Sequence, residues 1–288
     1  MEGLMKEVEI TLCSPDVHKT CFACCPPIRP AGYEHIQYKG ILQRMLRENT
    51  KDFERIKHGV HAITGFSCWA LGYLDGEYRR IGCLLHPARN QGHDLRYRVD
   101  FDEKCRREIC PEALTFSRLG NEKKTFWLGL TEHLDSFSYS SRAQNPLFRL
   151  MGWGPGVLGL IAETEVHRKM TRESFIRTYP FFATALLPKA HAYILNRLVN
   201  RDSLPLLRSP GFRDAFEDFS KHLCSDTARE APPTCEGTPI FRLDLDHHFR
   251  DLLRLFLSRT RISIEVALRL KATVDDRIDT FYHRIQGV

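Results

Sequence analysis

Residues 68–83 read Cys68-Trp-Ala-Leu-Gly-Tyr-Leu-Asp75-Gly76-Glu-Tyr-Arg-Arg-Ile-Gly-Cys83, two short apolar runs around an Asp-Gly pair. Asp-Gly favours a two-residue type I′ turn, so the stretch from Phe66 to Leu85 reads as a β-hairpin. With Asp75 and Gly76 as the loop, Tyr73 faces Tyr78 and Cys68 faces Cys83. Directly opposed residues hold their Cβ atoms about 4.5–5.5 Å apart, so such a hairpin delivers two thiols to one place.

The cysteines around this hairpin are unevenly spread. Of ten, eight lie from Cys13 to Cys110, and only Cys224 and Cys235 lie beyond. The densest piece is Cys21-Phe-Ala-Cys24-Cys25-Pro-Pro. A C-x2-C spacing lets two thiolates bend around one centre, as in zinc knuckles and iron–sulfur loops. Soft sulfur donors suit both zinc and iron clusters. Prolines after Cys25 and Cys110 stiffen the chain beside these thiols. The candidate metal ligands are therefore Cys13, Cys21, Cys24, Cys25, Cys68, Cys83, Cys105 and Cys110. Eight thiols exceed the four that one tetrahedral zinc or one cubane cluster takes. Adjacent Cys24 and Cys25 do not easily aim at one small ion. Two centres, or one centre with four additional thiols, both satisfy the count. His18, His86 and His93 are weaker ligand candidates, and His86 reads as a loop histidine bonded to backbone. Cys224 and Cys235 read as buried or incidental thiols.

Working outward, Glu7 to Leu12 alternates as a short strand, and Cys13 to Pro30 is a proline-stiffened loop. Tyr38 to about Ile56 reads as helix, with Ile41, Leu42, Met45 and Leu46 on one face. A short helix from Phe101 to about Ile109, stopped by Pro111, leaves Cys110 at its exit. Beyond it, Phe126, Trp127, Leu130, Leu134 and Phe137 form a helical stripe. Ser209-Pro210 marks a helix start leading into Phe212, Phe216, Phe219 and Leu223. Ile264, Ala267, Leu268, Ile278 and Phe281 carry the pattern to the C-terminus. The expected architecture is mainly α: a cysteine-rich metal-binding module over 1–112, built of a β-hairpin and irregular loops, then an all-α region over 113–288.

Two further motifs read as structure. Gly152-Trp-Gly154-Pro-Gly156-Val-Leu-Gly159 follows no strand, and Pro155 lacks an amide, so a turn between helices is expected rather than a nucleotide loop. His247-His248 follows Asp244 and Asp246; adjacent histidines on a helix point apart, and Asp246 reads as an N-cap.

Composition bounds the function. The chain has 288 residues, 42% hydrophobic and 27% charged, with a net charge of +6 from 42 basic and 36 acidic residues. That fits a globular protein. The basic residues never cluster, which argues against nucleic-acid binding. The longest nearly apolar stretch, Met151 to Ala162, falls short of the roughly 20 residues that span a bilayer. The N-terminus shows no signal-peptide pattern, so the expectation is a cytoplasmic protein with reduced thiols, where clustered cysteines indicate metal rather than disulfides.

The cysteine block resembles the CxxCxxCC family of zinc- or iron-chelating domains, which includes the flagellin lysine methylases. The matching pieces are Cys21-x2-Cys24-Cys25, Gly82-Cys83-Leu84-Leu85-His86-Pro87, Asp94-Leu95-Arg96, Cys105 and Cys110, about a third of the chain. The family's first motif cysteine lies closer than Cys13 does to Cys21, which leaves Cys13 or His18 to fill that place. The resemblance implies a [4Fe-4S] cluster, with zinc as the alternative. In the methylase branch it implies S-adenosylmethionine chemistry on protein lysines, hence a protein substrate or partner. No catalytic acid, base or nucleophile is legible. The competing reading is a zinc-stabilised interaction protein without catalysis, and a thiol redox sensor is a third.

Overall fold

The computed structural model describes residues 10–25, 32–56, 59–64, 67–107, 109–230 and 237–287. Glu7–Glu9 of the expected strand, Pro26, Pro27, Pro30, Phe66 and the loop carrying Cys235 lie outside the described residues. The described residues are mainly helical with two small antiparallel sheets, and the chain divides into two compact units, Met1–Phe148 and Arg149–Val288.

The first unit contains α1 (Lys39–Asp52), β1 (Leu71–Tyr73), β2 (Ile81–Cys83), α2 (Asp102–Arg107), α3 (Pro111–Ser117), α4 (Asn121–Gly129) and α5 (Ser136–Ser140), joined by irregular loops and single helical turns. Helix α1 buries Leu42 and Leu46, four residues apart on one face, and packs against β1. Ile41, expected on that stripe, is 55% exposed. Residues 10–12 form no strand; Leu12 is buried instead, and its carbonyl accepts a hydrogen bond from the Tyr139 hydroxyl at 3.0 Å.

The hairpin forms in a different register from the expected one. Leu71 pairs with Cys83, Gly72 with Gly82 and Tyr73 with Ile81, so Cys83 faces Leu71 and not Cys68. The reason lies in Asp75. Its carboxylate accepts from the amides of Glu77 and Arg79 at 3.0 Å each and of Arg80 at 2.7 Å, gathering a wide loop in place of a two-residue turn. The left-handed residue is Tyr78, at φ 57°, and its ring meets Tyr73 edge-on at 5.0 Å. Short polar side chains that bind nearby amides compete with the regular turn in this way.

The compact unit that contains residues 1–112 runs on to Phe148. Helix α5 is fastened to the cysteine loop: Ser136 Oγ accepts from Thr20 N, Ser140 Oγ accepts from Phe22 N, and Tyr139 binds Leu12. Lys39 at the start of α1 reaches Asp135, the cap of α5, at 2.6 Å.

Helix α6 (Pro146–Leu150) straddles the division. The second unit then holds α7 (Pro155–Glu165), α8 (Arg172–Thr178), α9 (Pro188–Leu198), α10 (Pro210–Glu230), β3 (Thr238–Pro239), α11 (His247–Asp251), β4 (Arg261–Ile262) and α12 (Ile264–Gln286). The β3–β4 ladder means that this part is not wholly α. Trp153, Phe181, Phe182 and Phe216 form a buried aromatic cluster with ring centroids 5.2–6.5 Å apart. Helix α10 begins at Pro210, and Asp246 caps α11 by accepting from Phe249 N, both as expected. On α12, Ala267, Leu270, Val274, Ile278 and Phe281 face inward, whereas Ile264 and Leu268 are exposed.

The glycine-rich motif is a turn between helices. Gly154 sits at φ +91°, and a Cβ there would lie 2.6 Å from the His248 ring, so glycine is required both for the conformation and for the close approach. The rings of His247 and His248 do not point apart; their centroids are 3.8 Å apart at the start of α11, where the chain has only just become helical. Among the described residues no helix is long and apolar enough to cross a membrane.

Candidate metal centre

All eight candidate cysteines fall in the first unit, on segments that are separately fixed. Cys21 N donates to Cys13 O at 2.9 Å, folding the loop back on itself. The Thr20 hydroxyl next to it donates to Ile81 O and accepts from Ile81 N, so the loop is tied to the start of β2. Cys25 N donates to Phe22 O, closing a tight turn through Cys24, and the His35 ring holds Cys25 O. Phe22, with its ring 4.6 Å from His35 and 5.4 Å from Phe137, roots that turn in the core.

Cys68 lies in the turn before β1. Asn49 of α1 donates to its carbonyl and to that of Leu71, and its sulfur accepts from Ala70 N at 3.4 Å. Cys83 ends β2. Cys105 sits in α2, which stops at Arg107. Pro111 does not end that helix; it opens α3, with Cys110 as N-cap and its sulfur accepting from Ala113 N at 3.4 Å. Proline at the first helical position is pre-set for that role, and this explains the Cys110-Pro111 pair.

The thiols act on one another electrostatically. Burial, then the charges of Cys13, Cys24 and Cys110, push the Cys21 thiol far above its ordinary 9.0. Burial pushes Cys110 up to about 12, with Glu112, Cys13 and Cys24 adding to it. Burial and then Cys24 raise Cys13. Cys25 is driven well up by its hydrogen bond with Cys24 and by burial, then by Cys24, Cys83 and Cys68. Burial brings Cys68 to about 12 and Cys83 to about 11, each further raised by Cys105. Cys105 is raised by burial and by Cys24. The physical meaning is uniform: several thiolates cannot stand together in a partly buried place without a compensating cation.

One cation of the chain is already there. The Arg96 guanidinium forms a two-point pair with Asp94, at 2.9 and 2.8 Å, and donates to Cys105 O at 2.9 Å. Its charge opposes the rise at both Cys83 and Cys105. Asp94-Leu95-Arg96 was visible in the sequence, but its place beside these two thiols was not. Tyr139, whose phenol burial pushes well up with help from Cys21, Cys13 and Cys110, had no signal in the sequence.

The described cysteines are all free thiols. Among the described residues, no three His, Cys, Asp or Glu side chains are gathered tightly enough to hold a metal ion as they stand. The thiols neighbour one another at the range of charge, not of coordination. Rotation about χ1 between staggered wells moves a cysteine sulfur by roughly 3 Å. Two of the weaker candidates are otherwise engaged. His86 Nδ1 accepts from Ala88 N at 3.2 Å, capping the turn Pro87–Arg89. Cys224 approaches Phe256 O at 3.6 Å in the second unit.

Fold and site together define a mainly helical chain of two compact units, the first of which collects eight free cysteines around a hairpin. Comparison with family models, curated proteins and solved structures gives no match for this chain.

Proposed function

We propose that the first unit holds a cysteine-ligated metal centre, a [4Fe-4S] cluster in preference to zinc. One observation carries this: seven of the eight cysteines, drawn from separate segments, have thiols pushed up both by burial and by neighbouring cysteines. An all-sulfur donor set fits both groups. The preference for iron rests on the resemblance to CxxCxxCC domains and on ligands drawn from several loops rather than from paired knuckles. The same resemblance makes methyl transfer to a protein lysine, with S-adenosylmethionine as donor, the enzymatic reading. The non-catalytic alternative is a zinc-folded interaction module.

The test is iron, sulfide and zinc analysis of the full chain purified without oxygen. The expected result is brown protein carrying iron and acid-labile sulfide. Colourless protein holding zinc alone moves the assignment to the interaction module. Protein holding neither, with every cysteine freely alkylated, overturns the metal centre itself.

A further inference from the structure

In the second unit a histidine is enclosed by apolar rings. His191 of α9 is 7% exposed. Its ring meets that of Phe256 edge-on at 5.0 Å and that of Phe216, on α10, at 6.5 Å. Its Nδ1 lies 2.8 Å from Leu187 O at the start of the same helix. A carbonyl only accepts, so Nδ1 carries the proton of the neutral ring and Nε2 carries none. Phe256 ends a π-helical turn, Leu252–Phe256, which packs against α9 and is closed by Leu257 N donating to Leu252 O at 3.1 Å. The Cys224 thiol of α10 meets the Phe256 carbonyl at 3.6 Å. Single π-turns are rare and are frequently found at functional sites. Helix α9, helix α10 and the π-turn thus meet at one imidazole. We propose that this joint is an acid-sensitive latch, closed while His191 is neutral and opening locally when the ring takes up a second proton.

A proton on Nε2 would leave a full charge among the Phe216 and Phe256 rings, and burying a charge without a partner is costly. Burial holds His191 below its ordinary 6.5, against the Leu187 bond and Glu217 of α10, which favour the charged form. Glu217 already accepts from the Thr184 hydroxyl at 2.6 Å. The charges on the other neighbouring elements are engaged elsewhere. Arg254 of the π-turn pairs with Asp251 at 3.7 Å, and Lys271 and Asp275 of α12 pair at 2.6 Å beside Tyr193. On α11, Arg250 binds the carbonyls of Phe241 and Leu243, and His248 lies against Gly154. Burial raises the Cys224 thiol, so it stays neutral in acid. Above about 6.5 the His191 ring is neutral whether the joint is open or closed, and the closed form keeps its full stability. Below that value the open form binds a proton that the closed form refuses. Opening then grows by up to about tenfold per pH unit until the closed ring itself titrates. The latch lies wholly in the second unit and is independent of the metal centre.

The experiment is hydrogen exchange of the full chain, read by mass spectrometry at about pH 7.5 and about pH 5.5 after correction for the chemical exchange rate. Opening of α9 and of Leu252–Phe256 is expected to rise about three- to tenfold at the lower pH, while α1 keeps its protection. His191→Asn keeps a donor for Leu187 O, and His191→Phe keeps a ring; neither titrates, and both should exchange alike at the two pH values. Equal exchange of α9 and the π-turn in the native chain overturns the latch. So does an unchanged pH dependence in either folded variant. If neither variant folds, the His191 ring proton followed by NMR in the native chain decides: titration below about 6.5 supports the latch, and titration at or above it overturns it.

Discussion

Arg96 shows how much a single residue contributes to this site. Its side chain is only 17% exposed, and its guanidinium is locked by Asp94 on one edge and spends its remaining nitrogen on Cys105 O. A cation held beside Cys83 and Cys105 favours their thiolates and hence any metal they bind. Residues that orient or tune ligands in this way typically account for about 10–100-fold in metal affinity. Arg96→Ala is therefore expected to weaken metal binding by about that factor, measured by competition with a chelator. Arg96→Lys should recover only part of the loss, because lysine keeps the charge but not the planar two-point grip. Equal affinity in all three proteins would show that Arg96 serves only to join Asp94 to α2. The residue types were legible from the sequence: soft donors in a dense block, and an Asp-x-Arg beside them. The neighbour relations were not, because they depend on Arg96 crossing to a carbonyl nine positions away.

At the scale of the element, the hairpin separates what spacing can tell from what it cannot. The pairing of two apolar runs was read correctly, but the register was not. The Asp-Gly rule describes the backbone preference of a two-residue loop, while the Asp75 carboxylate satisfies three amides and stabilises a wider one. The register then shifts by an odd number of positions, which moves Cys83 opposite Leu71. Long helices such as α10 and α12 were easier, since their apolar stripes repeat over many turns. The prolines were legible as helix boundaries but not in their sense: Pro210 starts α10 as read, whereas Pro111, read as a stop, opens α3. Asp75→Ala should cost about 0.5–1.5 kcal/mol, the net worth of hydrogen bonds to exposed and half-buried amides that water can take over. Asp75→Asn should cost less, because an amide oxygen still accepts. Hairpin hydrogen exchange and the denaturant midpoint report both. If Asp75→Ala were silent, the loop would be held by the Tyr73–Tyr78 contact instead.

At the scale of the whole molecule, the thiols make stability depend on pH with a definite sign. In the metal-free chain the folded pKa of Cys68 is about 12, against an ordinary 9.0. Below the ordinary value the thiol is protonated whether the chain is folded or not, and the full contribution of the neutral group is present. Between the two values the unfolded chain gives up a proton that the folded chain retains, so stability falls by about 1.4 kcal/mol per pH unit for each such thiol. Cys110 and Cys83 add to the same slope in the same window. The metal-free protein should thus lose denaturant resistance from about pH 9 upward, toward the folded values of about 11 to about 12. The Cys68→Ser Cys110→Ser variant should lose less, since serine does not titrate there. On the proposed metal centre, a metal-loaded form would behave in the opposite way. Its ligands would already be thiolates, so alkali would remove nothing from them, while acid would return protons that compete with the metal. Crossing pH profiles for the loaded and metal-free forms would follow directly from buried sulfurs that need a cation. Parallel profiles would mean that these cysteines are ordinary core residues.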